Sequence, residues 1–188
     1  GIPILNELGL DPGIDHLSAM QVIDELRSEG AQLTGFESYT GGLVAPESDN
    51  NPWHYKFTWN PRNVVLAGQG GSATFRMGGL NRVLPPHRLF QEVTPIDVPG
   101  AGRFEGYANR DSLAYEQIYG LQGIETLVRG TLRGYGFCGG WDALFQLGMN
   151  RDDAQLSLPE GTSWRTFTAG FAGGVGKNAD GAQVRDAV

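Results

Sequence analysis

The stretch Ser72–Pro85, SATFRMGGLNRVLP, sets the fold class. Two short strand-favouring runs, SATFRM and LNRVLP, flank Gly78-Gly79, and a pair of glycines between such runs predicts an antiparallel hairpin. Upstream, WHYKFTW alternates Trp53, Tyr55, Phe57 and Trp59 with His54, Lys56 and Thr58, a period of two that predicts a strand. Strands are also expected over Gln32–Thr40, over RFEGYA at 103–108 and over IETLVRGTLR at 124–133. The helical pattern begins at Ile14, where Ile14, Leu17, Met20, Ile23 and Leu26 recur every three residues up to a cap at Gly30. Asn60-Pro61 reads as an N-cap followed by a first-turn proline, so RNVVLAG is a short helix closed by Gly68, with a buried strand as the competing assignment. Further helices are expected over Ser112–Tyr119, over Gly139–Met149 and near Trp164. Beyond Asn150 the pattern thins: a loop runs through NRDDAQLSLPEGTSW, and GKNADGAQVRDAV has too few apolar residues to define an element. The sum is one α+β domain over residues 1–188, with a mixed, largely antiparallel sheet covered by helices on one side.

At 188 residues the chain is long enough for a substantial core. Its net charge of −7 argues against a nucleic-acid partner, because neutralising phosphates takes an excess of Lys and Arg. One cysteine, Cys138, rules out an internal disulfide. No apolar run approaches the roughly 20 residues that span a bilayer, so a cytoplasmic protein free of the membrane is expected. The start at Gly1-Ile2-Pro3 and the absence of a stop pattern at the other end suggest a piece of a longer chain.

No GxGxxG follows a strand, and neither GQGGS nor GFAGGVG has the spacing or βαβ context that seats a pyrophosphate. HExxH, CxxC and GxSxG are absent too, so a metal hydrolase, a redox dithiol and a serine hydrolase lack support. What remains is a scatter of charges in turns and on strands: Asp11, Asp15 and His16; Glu47 and Asp49; Lys56 and Arg62; the NRDS at 109–112; Arg129 and Arg133. Each has an ordinary alternative. Asp11 would satisfy free N–H groups ahead of a helix, Asp15 would complement the dipole, and the two arginines would sit in structural salt bridges. The functional alternative for arginines on a half-buried sheet is bidentate binding of carboxylates.

Four ordered stretches, NELGLDPGIDHLSAM, SYTGGLVAPESDNNPWHYKFTWNPRNV, YANRDS and RGTLRGYGFC, resemble the substrate domain of saccharopine dehydrogenases of the glutamate-forming type. The likeness runs from about Leu5 to Cys138, with little contributed after Met149. It implies a reductive coupling in lysine metabolism, in which aminoadipate semialdehyde condenses with glutamate and the imine is reduced by NADP(H) to saccharopine. It also implies a Rossmann-like nucleotide domain built from flanking sequence, a substrate domain similar to the catalytic domain of glyceraldehyde-3-phosphate dehydrogenase, a homodimer, and no metal.

The ligand that the resemblance implies carries three carboxylates as well as amino groups. Arg110 of NRDS is the leading carboxylate clamp, with Lys56, Arg62 and Arg129 as further cations. Gly42, after Thr40, would let the backbone approach the ligand. Asp11 aligns with an acid that the family places at the reacting centre, and it would exchange protons during carbinolamine and imine formation. Asp15 is expected to be structural, and His16 is undecided. Many relatives have Cys where Thr40 stands; a threonine hydroxyl hydrogen-bonds but does not titrate near neutrality. Two other possibilities stay open: an opine-like or carboxynorspermidine-type imine reductase, and a noncatalytic ligand-binding or dimerisation module.

Overall fold

The computed structural model describes residues 1–6, 8–151 and 159–171. The elements follow in the order α1 (Ile14–Ser28), β1 (Gly35–Thr40), α2 (Pro61–Val65), β2 (Ala73–Met77), β3 (Leu80–Leu84), β4 (Thr94–Val98), β5 (Gly102–Ala108), α3 (Tyr115–Ile118), β6 (Thr126–Gly134), α4 (Phe137–Gln146) and α5 (Trp164–Phe171). All six strands form one sheet, and β6 is its hub. β1 runs parallel to β6 with Tyr39 opposite Gly130, and every other pairing is antiparallel. Leu127 pairs with both Phe36 and Arg76, and Gly130 with both Tyr39 and Ala108. β1 therefore fills one edge of β6, and β2 and β5 share the other, each carrying its hairpin partner outward.

The predicted hairpin forms in the expected register, with Ala73 opposite Leu84 and Met77 opposite Leu80. Its turn needs positive φ at both central residues, and Gly78 (58°) and Gly79 (76°) provide it. α1 ends as its sequence predicts: the Gly30 and Ala31 N–H groups donate to the carbonyls of Arg27 and Leu26, a Schellman closure. The choice left open at residues 61–65 resolves to helix, with the Asn60 side chain accepting from the Arg62 N–H at 3.1 Å.

Three expectations are corrected. Trp53–Trp59 forms no strand: Trp53 lies in a turn, His54 has φ at 48°, and the residues that follow pair with no strand. Its first two aromatic residues pack on α4 instead, Trp53 edge-on to Trp141 and Tyr55 to Phe137, while Phe57 and Trp59 stay exposed. The expected helix over Ser112–Tyr119 is a single turn at Tyr115–Ile118. β4, TPIDV, was not anticipated because Pro95 argues against a strand; as an edge strand beside β5, β4 tolerates it. Most of the expected loop after Asn150, and the tail from 172 onward, lie outside the described residues.

Alternation along β6 divides the molecule into two packing layers. Leu127, Arg129, Thr131 and Arg133 share one face, with Phe36, Ser38 and Thr40 of β1 beside the first three of them. Two clusters cover this face. Ile23 of α1 packs with Tyr119, Leu121, Ile124 and Leu127, and Phe137, Cys138 and Trp141 of α4 pack with Tyr55, Val64, Phe90 and Tyr107. The opposite face carries Ala73, Phe75, Leu84, Ala108 and Val128, with the Tyr39 ring laid over Gly106 and Gly130. The two helices thus lie on one side of an open, largely antiparallel sheet, the α+β architecture expected. No helix among the described residues is long and apolar enough to cross a membrane.

Candidate active site

Between its two apolar clusters, the helix-side face of the sheet carries a polar band: Ser38 and Arg129, then Thr40 and Thr131, then Arg133. On an extended strand Arg129 and Arg133 stand about 13 Å apart. The loop before α1 closes over one end of this band, and the turn after β1 lies at the other.

The first end is built by the sequence Leu10–Asp15. Gly13 lies so close to Gly9 that an added Cβ would fall 2.2 Å from the Gly9 carbonyl oxygen, so the loop closes only with glycine there. Asp15 is buried; its Oδ1 accepts from the Gly13 N–H at 2.8 Å, and its Oδ2 from Nη2 of Arg129. The same Nη2 donates to Oδ1 of Asp11 at 3.3 Å. The face of this guanidinium is covered by the Tyr115 ring, 4.1 Å away. Burial works to lower the Arg129 pKa, but Tyr119, Tyr115 and Asp15 outweigh it and hold it above the ordinary guanidinium value. Asp11 makes no helix-capping bond and is the more exposed of the two acids. His16 bonds through Nδ1 to the Tyr119 hydroxyl at 2.5 Å and stacks on Tyr115; its Nε2 is buried without a hydrogen-bond partner among the described residues. Tyr119 is raised to about 12, chiefly by burial. An open groove of about 420 Å³ runs past Leu8, Gly9, Gly13, His16 and Tyr115.

The other end is built around Arg133. It is 8 % exposed, its guanidinium lies over the rings of Tyr55 and Phe137, and its Nη1 donates to the carbonyl of Leu132. Among the described residues its Nε has no hydrogen-bond partner, and no acid forms a salt bridge with it. Glu105, its cross-strand neighbour, accepts instead from the N–H groups of Gly136 and Cys138 at the start of α4, one with each carboxylate oxygen. A Cβ on Gly41 would fall 3.3 Å from Arg133 Nη1 and 2.1 Å from the Leu132 carbonyl oxygen.

The NRDS segment plugs a gap between β2 and β5. The Asn109 N–H donates to the Arg129 carbonyl at 2.8 Å, and the Arg129 N–H donates to Oγ of Ser112 at 2.9 Å. The carbonyl of Arg110 accepts from Thr74, and Asp111 Oδ1 accepts from Leu113, Ala114 and the Thr74 hydroxyl. Arg110 is thereby fixed with φ at 46°, unusual for a residue with a side chain and a sign that the surroundings impose it. Its side chain is exposed.

Backbone pairing thus sets Thr40 and the Arg110 backbone beside the middle of β6, the ion pair with Arg129 brings in Asp11, and Gly42 lies just past Thr40. Thr58 reaches Gly42, its Oγ1 lying 3.9 Å from where a Cβ would stand. Lys56 and Arg62 are exposed on the segment to either side of Thr58. It is the backbone of Gly41, rather than of Gly42, that packs closely against the Leu132 carbonyl. The sequence presents Arg133 and Arg129 alike, as arginines on a half-buried strand with a salt bridge or carboxylate binding as alternatives, and does not separate them. The one signal for Arg133 is its spacing of four from Arg129, which puts both on the same strand face. Among the described residues no group of three or more His, Cys, Asp or Glu is placed to hold a metal ion.

Comparison with known proteins identifies the family of the chain. A family model described as the saccharopine dehydrogenase C-terminal domain matches residues 9–185. Saccharopine dehydrogenase [NADP(+), L-glutamate-forming] of Saccharomyces cerevisiae is 39% identical over 173 residues, covering 92% of this chain and 39% of that protein. The enzyme of the same name from Pyricularia oryzae is 39% identical over 168 residues, covering 89% of this chain and 37% of that protein. The mitochondrial alpha-aminoadipic semialdehyde synthase of Rattus norvegicus is 38% identical over 92% of this chain and 19% of its own length. Among solved structures, apo saccharopine dehydrogenase (L-Glu forming) from Saccharomyces cerevisiae superposes with a TM-score of 0.81 at 37% identity, covering 97% of this chain and 41% of that one. The chain thus spans roughly two fifths or less of the relatives it matches, and it belongs to the saccharopine dehydrogenase C-terminal domain family.

Proposed function

We propose that the chain is the substrate-binding portion of an NADP-dependent saccharopine dehydrogenase, which interconverts saccharopine with aminoadipate semialdehyde and glutamate. The observation that carries this reading is Arg133. A guanidinium this deeply buried with no acidic partner among the described residues is costly unless an anion arrives, and a substrate carboxylate supplies one. Gly41 leaves the backbone beside it bare, and Thr40 and Thr131 offer hydroxyls along the band. We assign Arg110 to a second carboxylate, with Lys56 and Arg62 at the exposed rim and Gly42 at the ligand's edge. Asp11, with one oxygen on Arg129, takes and returns protons as the amine adds to the aldehyde carbonyl and water leaves.

The described residues do not suit a dinucleotide's phosphates: the glycines at 68–71 lead into an antiparallel hairpin, not into a helix N-terminus. We therefore place the NADP(H) site mainly in the remainder of a longer protein, where the cofactor would supply the hydride. A homodimer and a cytoplasmic setting complete the proposal, the latter open to the mitochondrial location that the rat relative's name gives.

The test is steady-state kinetics on the full-length protein. Arg133→Met and Arg110→Ala should each raise KM for saccharopine about 10- to 100-fold, the worth of one charge-assisted hydrogen bond. Unchanged KM in both would sink the carboxylate-clamp assignment. Turnover of a carboxynorspermidine-type substrate in preference to saccharopine would move the activity within the superfamily. Binding without turnover at any pH would mark a noncatalytic module.

A further inference from the structure

We infer that Arg129 is a positioning residue that fixes the proton-transfer group Asp11, rather than a cation that binds substrate. This rests on the role proposed for Asp11. The observations form a chain of contacts from the interior outward. The Gly13 N–H holds Asp15, Asp15 holds Nη2 of Arg129, and that nitrogen holds Oδ1 of Asp11. Exposure of the side chains rises along it, from 2 % at Asp15 to 11 % at Arg129 and 25 % at Asp11.

Each link constrains the next. Asp15 belongs to the first turn of α1, and Arg129 to the central strand, whose backbone N–H and C=O at this residue are tied to Ser112 and Asn109. The guanidinium plane is set by the Tyr115 ring beneath it. A substrate carboxylate taking Nη2 of Arg129 would have to displace both aspartates, and the buried Asp15 would then have only the His16 imidazole, 4.0 Å from its Oδ1, as a possible cation among the described residues, an unfavourable exchange. Asp11, by contrast, keeps Oδ2 without a hydrogen-bond partner among the described residues, and it is the most exposed member of the three. Arg129 thus orients one carboxylate oxygen and leaves the second free to meet a reacting amine or hydroxyl. A paired acid, arginine and acid also explains why two aspartates four residues apart are both present: Asp15 balances the arginine's charge so that its second contact serves orientation.

The experiment is steady-state kinetics with saccharopine on the full-length protein carrying Asp11→Asn, Arg129→Met, Arg129→Lys and the Asp11→Asn/Arg129→Met pair. Arg129→Met should lower kcat roughly 10²-fold, the scale of a misplaced catalytic group, with KM unchanged. Arg129→Lys should recover part of that loss, and the pair should be no slower than Asp11→Asn alone. Because Arg129→Met strands the buried Asp15 charge, Asp15→Asn/Arg129→Met is measured beside it; its fall in kcat should match. A slow Asp11→Asn beside Arg129 variants of normal kcat would overturn the positioning role while leaving Asp11 its function. A raised KM with normal kcat would make Arg129 a substrate clamp and overturn the inference. Multiplicative losses in the pair would show two independent groups and overturn it as well. Normal turnover in Asp11→Asn would instead remove the proposed role of Asp11 on which the inference stands.

Discussion

At the residue scale, two arginines four positions apart on one strand have opposite surroundings. Arg129 is matched by two aspartates, whereas Arg133 is buried with its Nε unbonded. That difference cannot be read from LVRGTLR, because the acids arrive from residues 11 and 15, more than a hundred positions away. The same remoteness governs Gly41. Sequence marks Gly41 and Gly42 as an equivalent pair, yet only at Gly41 would a Cβ meet the Leu132 carbonyl. Gly41→Ala should therefore destabilise the protein by about 1–3 kcal/mol, the usual range for forcing atoms into a packed site, and Gly42→Ala by much less. Urea denaturation followed by the fluorescence of the core tryptophans Trp53 and Trp141 would check this; equal effects at the two positions would contradict the placement of the turn. Cys138 is 1 % exposed, and burial together with Glu105 pushes its thiol up. A thiol reagent at pH 8 should label it only after unfolding, and rapid labelling of the native protein would argue against its place under α4.

At the scale of elements, what could be read from the sequence is what local chemistry decides. Gly78-Gly79 fixed a turn, Gly30 a helix end and Asn60-Pro61 a helix start, since in each the backbone conformation depends on the residues present. Asn60→Ala should cost about 1 kcal/mol, with Asn60→Ser close to neutral, in the same denaturation measurement. A loss as large for Ser as for Ala would show that the Asn60 side chain does something other than cap α2. What stayed hidden depended on partners. WHYKFTW has the alternation of a strand, but its Trp53 and Tyr55 are taken up by Trp141 and Phe137 of α4, contacts that the local pattern cannot show. The apolar spacing of α1 misleads for a geometric reason: three residues advance the helix by less than one turn, so Ile14 to Leu26 spirals around it. The buried line is Asp15, Ala19 and Ile23, spaced by four, while Ile14 and Leu17 stay 59 % and 72 % exposed. The acid that looked like ordinary helix decoration is the one the helix buries, and that burial is what gives Arg129 its inner partner.

At the scale of the whole molecule, the polar band and the apolar clusters on either side of it share one sheet face, so titration of buried groups around the band bears directly on stability. Burial raises Tyr119 to about 12, and it also raises Tyr107, Tyr39 and the Cys138 thiol. In the unfolded chain a tyrosine titrates near 10 and a cysteine near 8.5, to order of magnitude. Between those values and the raised native ones, the unfolded chain has lost protons that the native protein keeps. The unfolded state then binds fewer protons, so the free energy of unfolding falls as pH rises, and the contribution is fully present only below the unfolded values. Denaturation measured from pH 7 to pH 12 should accordingly show a first decline setting in near pH 8.5, from Cys138, and a steeper one above about pH 10, from the tyrosines. Cys138→Ala should remove the first decline and leave the second, while Tyr119→Phe should flatten the second without touching the first. The Tyr119 variant also removes the hydroxyl that His16 bonds, so it should lower stability at pH 7 while reducing the alkaline slope, a combination that a simple loss of packing would not produce. If the slope above pH 10 were unchanged in Tyr119→Phe, the hydroxyl of Tyr119 would have to ionise at its ordinary value in the native protein. That is incompatible with a ring only 2 % exposed beneath α1.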